Sequence, residues 1–362
     1  MALQHMDFPS GSPGIWGGST TNMENGVYAN VATSGANSGV GFINDPDPNI
    51  TGSVLSVSRG SQNGYGERVR YVLSTSQSVV GMACRVWLPN LPTQNTAIPT
   101  IFGFNDISNS RLVNLIPLST GALRVTYDMN ETAESFTTPG PVVVAGTWHH
   151  IEMKCDIPNG DIEVRVDGVT VINLTGQDIA DENFAQVVFG ATNVGTELQS
   201  PSSVYYKDFV IWDGSGTENT DFLGSVQVYL LSPDSDVSFN WTPSTGSTGW
   251  NLIDEAPAND SDYISANDTP PAASSFGVTD LPEDVTSIRG LKSFVRALKT
   301  DGGDGQLQVS LISNGTTGDG TDRPVTTVAT YWSDIWEVDP DTASSWTRSA
   351  VNQVNLQVDR TL

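Results

Sequence analysis

The feature that most constrains the fold of this chain is its hydrophobic period of two. Apolar and polar residues alternate wherever apolar residues gather, as in Val79–Leu88, and short turn-forming segments separate the runs. This pattern is typical of antiparallel strands in sandwiches and barrels. The runs do not alternate with helices of useful length, which argues against a parallel α/β architecture. The sequence therefore predicts an all-β protein.

A length of 362 residues favours two domains, and the 35 glycines and 20 prolines suit a chain with many turns. The best linker candidate is Asp213–Asp221, because it lacks large apolar residues. We therefore predict one domain over residues 1–214 and a second over residues 215–362. In the second domain, strands are expected from Val226–Leu231 onward, with a short helix near Ser345–Gln353.

The charge balance excludes several classes of partner. The chain has 41 acidic and 16 basic residues, for a formal charge of −25. Nucleic-acid binders need a cationic footprint, so we expect no nucleic-acid partner.

No stretch approaches the ~20 apolar residues of a membrane helix, and the N-terminus lacks a secretory apolar core, so we expect neither membrane insertion nor export. Cys84 and Cys155 are expected to be buried small apolar residues, with a disulfide as the alternative.

A strong local signal covers Thr147–Val171. Asn159-Gly160 and Asp167-Gly168 supply the left-handed residues that tight hairpin turns require, which predicts three successive antiparallel strands. On the middle strand, Glu163 and Arg165 would share a solvated face.

Three motifs, taken in order, resemble the late strands of the concanavalin A-like (laminin G-type) jelly roll. They are Trp148–Met153, Glu163–Gly168 and Lys207–Asp213. The resemblance covers roughly the first 213 residues and implies a jelly-roll sandwich followed by a second, smaller β-sandwich. In that family an Asp of the last strand often helps to hold Ca²⁺, and Asp208 occupies the matching position. Ca²⁺ is therefore the candidate cofactor; Asp45–Asn49 could supply further oxygens or form a stiff loop.

The second half resembles a module of virion proteins from tailed phages and prophages, where it follows a lectin-like jelly roll. The motifs that carry this resemblance are Asp221–Val228, Trp241–Ser244, Gly249–Pro257, Asp262–Ser265, Asp334–Pro340 and Ser345–Thr347. It implies a structural virion component, such as a head decoration, fibre or tail accessory protein, assembled in the host cytoplasm. The expected partners are capsid or tail proteins and host-surface polysaccharide. A homo-oligomer, with a trimer as the first expectation, would suit a repeating particle.

Sugar recognition needs aromatic platforms beside hydrogen-bonding groups. Arg85 and Trp87 lie opposite the apolar positions of their strand, and Tyr127 and Asp128 are placed similarly on another strand. These four residues are the candidate carbohydrate-binding residues. The alternative is that Trp87 covers the edge of the core.

Catalysis by paired carboxylates is not indicated. The Glu-x-Asp-x-x-Glu strand motif of concanavalin-like glycosidases is absent, and Glu163 and Asp167 have the wrong spacing. Adjacent residues on a strand face opposite ways, so His149 and His150 cannot act on one ion together. We therefore predict a protein that is not an enzyme. The alternatives are a purely architectural virion protein and a secreted glycan-binding protein or glycoside hydrolase of the concanavalin-like fold.

Overall fold

The computed structural model describes residues 2–7, 14–16, 29–32, 39–48, 53–58, 68–93, 100–129, 131–190, 203–255, 258–267 and 272–362. The chain divides into two compact units, Met1–Val228 and Tyr229–Leu362. The sequence placed a boundary after residue 214, whereas the structure divides the chain after Val228. The described residues are nearly all strands and loops, which confirms the all-β jelly-roll prediction. Their helices are too short or too polar to cross a membrane.

The first unit is a sandwich of two antiparallel sheets. In chain order its strands are β1 (Leu3–Asp7), β2 (Gly14–Trp16), β3 (Ala29–Ala32), β4 (Gly39–Asn44), β5 (Ser53–Ser58), β6 (Arg68–Gln77), β7 (Val79–Trp87), β8 (Phe102–Asn105), β9 (Arg111–Pro117), β10 (Leu123–Tyr127), β11 (Glu134–Thr137), β12 (Trp148–Asp156), β13 (Asp161–Val166), β14 (Val169–Leu174), β15 (Phe184–Gly190) and β16 (Ser203–Asp213). The larger sheet has the order β14-β13-β12-β7-β16-β5-β4-β2, with β1 also paired to β16. The smaller sheet has the order β11-β10-β9-β8-β15-β6-β3.

Alternating side chains of both sheets form one core. Met82, Cys84 and Val86 of β7 point into it from the larger sheet, and Phe102 and Phe104 of β8 point into it from the smaller sheet. The three successive antiparallel strands predicted over Thr147–Val171 are present as β12, β13 and β14. Cys84 and Cys155 are buried and free, as expected.

An irregularity in β16 changes which residues face the core. The register with β7 shifts between Lys207 and Val210, and Asp208 has a positive φ of 56°. Such a bulge accommodates one extra residue. Tyr206 and Phe209, three positions apart, therefore both enter the core, while the Asp208 side chain stays at the outer face of the larger sheet.

Residues Asp221–Val228, which we call the strap, follow β16 and lie along the outer face of the larger sheet. Their backbone N–H groups bond to side chains of that sheet and not to a neighbouring strand. The prediction of a strand over Val226–Leu231 is therefore wrong, because an extended segment needs a paired neighbour to be a strand. These contacts also explain why the first unit continues to Val228.

The second unit has shorter strands. They are β17 (Pro233–Ser238), β18 (Thr242–Pro243), β19 (Ile264–Ser265), β20 (Ser274–Val278), β21 (Leu291–Ala297), β22 (Gln306–Ser313), β23 (Thr316–Gly318), β24 (Arg323–Pro324), β25 (Thr330–Trp336), β26 (Val338–Asp339), β27 (Ser344–Ser345) and β28 (Asn355–Arg360). The main sheet has the order β17-β20-β28-β22-β23, with β24 on β22, and three two-stranded sheets pair β18 with β19, β21 with β25 and β26 with β27. A 3-10 turn covers Trp250–Leu252, and the helix α1 covers Arg348–Val351, inside the predicted helical segment.

Candidate functional site

The outer face of the larger sheet holds three of the residues that the sequence selected. Arg85 projects from β7, and its Nε lies 3.1 Å from the Asp208 carboxylate. The other Asp208 oxygen accepts a 3.0 Å hydrogen bond from the Val228 N–H of the strap. Burial raises the pKa of Asp208, and the Val228 N–H and Arg85 offset part of that rise. Arg85 and Asp208 therefore engage each other beneath the strap.

Trp87 packs against a neighbour on β12. Its ring meets the Trp148 ring edge-on at 5.7 Å, and the Lys207 ammonium lies 4.1 Å from the Trp148 centroid. Lys207 also pairs with the Asp45 carboxylate at 2.7 Å, and Trp148 Nε1 donates to the same carboxylate at 3.1 Å. Trp87 is thus partly exposed and lies beside Trp148, Lys207 and Asp45, which are bonded to one another.

The surroundings of Asp208 bear on the predicted Ca²⁺ site. Ca²⁺ takes six to eight oxygens, but the carboxylates of Asp208 and Asp45 are both held by cationic side chains. Among the described residues, no group of three or more His, Cys, Asp or Glu side chains is arranged to hold a metal. The ligand set around Asp208 therefore does not fit Ca²⁺ as it stands. Binding of the ion remains a prediction, tested by a Ca²⁺-dependent rise in unfolding temperature.

Two further buried groups of β12 hold the strap. Glu152 Oε1 accepts hydrogen bonds from the Leu223 and Gly224 N–H groups at 3.0 and 3.1 Å. His150, only 2% exposed, accepts from the Val226 N–H at 3.4 Å through Nε2. Burial, and after it the nearby Arg85, lowers the pKa of His150 from 6.5 to about 4, while Asp167 opposes part of the shift. The strap therefore covers the part of this face that carries Glu152, His150 and Asp208.

Tyr127 and Asp128, the other candidate sugar ligands, lie at the end of β10. Tyr127 points into the core and not to the open side, because Leu123, Val125 and Tyr127 alternate inward. Its hydroxyl lies 3.0 Å from Glu134 Oε2 and 2.9 Å from Gln177 Oε1.

Asp128 follows with a φ of 50° and is 7% exposed. Its carboxylate accepts from the Thr132 N–H at 3.3 Å, so it stabilises the turn after β10. The structure therefore does not bring Tyr127 and Asp128 together with Arg85 and Trp87.

The outer face of the smaller sheet carries polar side chains that the sequence analysis did not select. Thr126, Asn114 and Arg70 stand in one cross-strand line, with Gly103 and Val188 between Asn114 and Arg70. Gln186 and Asn105 form the next pair along β15 and β8. We call Arg70, Gln186, Asn105, Asn114 and Thr126 the polar row. Since their neighbours in sequence point into the core, these side chains point outward.

A tight turn between β8 and β9 closes one side of the polar row. The Asp106 carboxylate accepts from the Ser110 N–H at 2.6 Å, and Asn109 has a φ of 67°. Asn109 Oδ1 then accepts from Arg70 Nη1 at 2.8 Å and from Asn105 Nδ2 at 3.1 Å. The turn thus fixes the Arg70 guanidinium against the sheet.

Several atoms of the polar row are buried but have no hydrogen-bond partner among the described residues. They are Arg70 Nε, Asn105 Oδ1, Asn114 Oδ1 and Thr126 Oγ1. Asn105 and Asn114 are 0% and 1% exposed. The Asn114 amide lies over Gly103. A Cβ added at residue 103 would lie 2.3 Å from Asn114 Oδ1. Each unsatisfied buried polar atom costs about 1–3 kcal/mol unless water or a ligand bonds to it.

A sequence signal for this face existed. Asn is depleted in strands, yet Asn105 and Asn114 occupy outward positions of Phe102–Asn105 and Arg111–Pro117. An amide at such a position marks a polar face. Sequence alone could not show that the two amides belong to the same surface as Arg70, because that depends on strand order.

Comparisons with known proteins give a likeness of fold. No family model and no curated protein sequence matches the chain. A sialidase structure is 13% identical with a TM-score of 0.38, and covers 49% of this chain and 16% of its own. A glucuronan lyase from the fungus Trichoderma reesei is 15% identical with a TM-score of 0.37, and covers 48% of this chain and 86% of its own. A family 7 alginate lyase is 13% identical with a TM-score of 0.37, and the match covers 49% of this chain and 83% of the lyase chain. At these identities the likeness shows the fold alone.

These structures correct one prediction. The sequence analysis concluded that the chain is not an enzyme, but polysaccharide lyases are among the structures of similar fold. The conclusion rested on a missing carboxylate pair, which bears on hydrolysis. A lyase cleaves its substrate without hydrolysis, so the missing pair does not exclude every glycan-cleaving reaction. The prediction that the chain is not an enzyme is therefore wrong.

Proposed function

We propose that the first unit is a glycan-recognition module that binds a saccharide chain across the polar row of the smaller sheet. The observation that carries this proposal is the set of buried amide, hydroxyl and guanidinium atoms on one outer sheet face that have no partner among the described residues. Buried atoms of His150 and Trp212 on the larger sheet also lack a partner there, but the strap contacts both of these side chains. A ligand rich in hydroxyl groups can both donate to and accept from such atoms.

The chemistry of the polar row suits a sugar. Asn105 and Asn114 each hold a buried carbonyl oxygen with no partner among the described residues, which a ligand hydroxyl would reach once the side chains that cover it move aside, and Thr126 can donate or accept. Asn114 Nδ2 has the Met129 sulfur at 3.2 Å, and a thioether is a weak acceptor. A sugar oxygen would be a stronger acceptor for that N–H.

The proposal is tested with matched threonine variants. Thr126→Val removes one orphan hydroxyl while keeping the shape of the side chain. Thr170→Val makes the same change on β14 of the larger sheet, where Thr170 Oγ1 bonds to Glu163. We screen the full chain against an array of poly- and oligosaccharides and measure the best ligand by calorimetry. Loss of one hydrogen bond should weaken binding roughly 2- to 10-fold in Thr126→Val, and Thr170→Val should bind as the parent does.

Two outcomes would contradict the proposal. One is an array on which no saccharide binds. The other is a bound saccharide whose affinity falls in Thr170→Val and not in Thr126→Val, which would place the site on the larger sheet. The bound saccharide is also incubated with the protein and its chain length followed, so that cleavage is measured directly.

A place in a tailed-phage virion remains the proposal that the motifs of the second half support. Repeated copies on a particle would turn weak sugar contacts into useful avidity, because linked sites raise the effective concentration. Mass spectrometry of purified particles tests it: a peptide from this chain is expected among the virion proteins, and its absence would count against the role.

A further inference from the structure

Charge is distributed unequally between the two sheets of the first unit. Within the strand bounds, the smaller sheet carries four arginines and one glutamate, for a formal charge of +3. The larger sheet carries four basic and seven acidic residues, for a formal charge of −3. The chain as a whole has a charge of −25. Counted over the strands, the smaller sheet is thus the positive sheet of an acidic protein.

The basic residues of the larger sheet are all neutralised. Arg85, Lys154, Arg165 and Lys207 each have a carboxylate oxygen within 3.1 Å. In a chain with more than twice as many acidic as basic residues, this pairing is what simple electrostatics favours.

Arg70 on the smaller sheet differs. Its Nη1 donates to two neutral amide oxygens, those of Asn109 and Gln186, at 2.8 and 2.9 Å. Its Nε is buried without a partner among the described residues. Burial lowers the pKa of Arg70, with no carboxylate contributing to the shift. The guanidinium is therefore a cation held by neutral partners, and its buried Nε–H is unused among the described residues.

We propose that the polar row recognises a carboxylated saccharide, with the Arg70 guanidinium binding the sugar carboxylate. This inference rests on the proposed glycan-binding function and names its ligand class. An arginine fork binds a carboxylate with charge-assisted hydrogen bonds, and Nε is one of the donors of that fork. The neutral amides of Asn105 and Asn114 would bond to the hydroxyl groups of the same or the next sugar.

One acidic feature near the row opposes such a ligand and gives a second test. Glu182 is exposed, and its hydrogen bond with Asp106, at the turn that holds Asn109, is the main cause of its raised pKa. Its charge would repel a bound carboxylate. Removing that charge should therefore tighten an acidic ligand and leave a neutral one unchanged.

The experiment compares two saccharides that differ only at C6. Oligomers of β-1,4-linked glucuronate carry a carboxylate there, and β-1,4-linked glucose oligomers of equal length carry a hydroxymethyl group. We measure both by calorimetry on the full chain and on three variants, Arg70→Gln, Glu182→Gln and the larger-sheet control Arg165→Gln. Thermal unfolding of each variant confirms that it folds.

We expect the acidic oligomer to bind at least tenfold more tightly than the neutral one. Arg70→Gln should remove that difference, and Arg165→Gln should keep it. Glu182→Gln should tighten the acidic oligomer roughly twofold. This last variant keeps the inference testable even if Arg70→Gln does not fold.

Failure of the acidic-ligand inference and failure of the proposed glycan binding give different results. Equal affinity for the two oligomers would overturn the acidic-ligand inference and leave glycan binding standing. An acid preference that survives in Arg70→Gln and is unchanged in Glu182→Gln would also overturn it. If neither these oligomers nor any saccharide on the array binds, the proposed function itself falls.

Discussion

The buried His150 makes a measurable prediction about the pH dependence of stability. Its imidazole is 2% exposed, and its pKa is lowered from 6.5 to about 4, mainly by burial and then by Arg85. The unfolded chain therefore binds a proton at His150 below pH 6.5, whereas the folded chain does so only near pH 4. Stability contributed by the neutral imidazole is complete above pH 6.5 and is lost as the pH falls toward 4.

The magnitude follows from the shift of the pKa. A displacement of one pKa unit corresponds to about 1.36 kcal/mol, so the full effect is roughly 3 kcal/mol. Between pH 7 and pH 4.5, His150 should cost the folded state roughly 2–3 kcal/mol. Protonation would also remove the acceptor that Nε2 offers to the Val226 N–H, so the loss should be accompanied by opening of the strap.

The assay is urea unfolding followed by tryptophan fluorescence at several pH values between 4.5 and 7. Carboxylates titrate in the same range, so the parent is compared with His150→Gln, in which a neutral amide can still accept from Val226. The variant should lose less stability on acidification than the parent by the amount given above. Parallel pH profiles for the two proteins would refute the argument that burial of a neutral His150 sets this dependence.

Two further predictions concern the outer face of the larger sheet. Gly81→Ala would place a Cβ 2.1 Å from the Trp212 ring, so we expect a lower unfolding temperature and a loss of about 1–3 kcal/mol in the free energy of unfolding. The control is Gly140→Ala, whose added Cβ would have no atom within 4 Å. Equal stability of the two variants would contradict the packing argument. Glu152→Ala leaves two strap N–H groups without their acceptor, at about 1–3 kcal/mol. Hydrogen exchange at the Leu223 and Gly224 amides should then become faster in Glu152→Ala. The control Glu163→Ala breaks a partly exposed ion pair and should leave both amides protected. Unchanged exchange in Glu152→Ala would show that Glu152 does not hold the strap.

Local rules predicted much of the first unit. The β12–β14 meander follows from alternation and from two turns with left-handed residues at Asp167, Gly160 and Gly168. The burial of Cys84 and Cys155 follows from the same alternation. These features depend on residues close together in the chain, so a short window of sequence contains the information.

The strap shows where such rules fail. Val226–Leu231 has an alternating pattern, but period two indicates only an extended backbone. Whether that backbone pairs with a strand or bonds to side chains depends on what lies beneath it. Here Glu152, His150 and Asp208 supply the acceptors. Because these residues precede the strap by 20 to 76 positions, its role and the extent of the first unit were not predictable locally.

The sequence by itself determined that the chain forms sheets, where many of the strands run and which side chains alternate inward, because alternation is a property of neighbouring residues. Only the tertiary structure decided that Arg70, Gln186 and Asn114 share one face. Arg70 and Gln186 are 116 positions apart and meet because β15 lies between β6 and β8. Strand order and register are settled by packing across the whole core, and the polar row that we propose as the binding site exists only as a result of that packing.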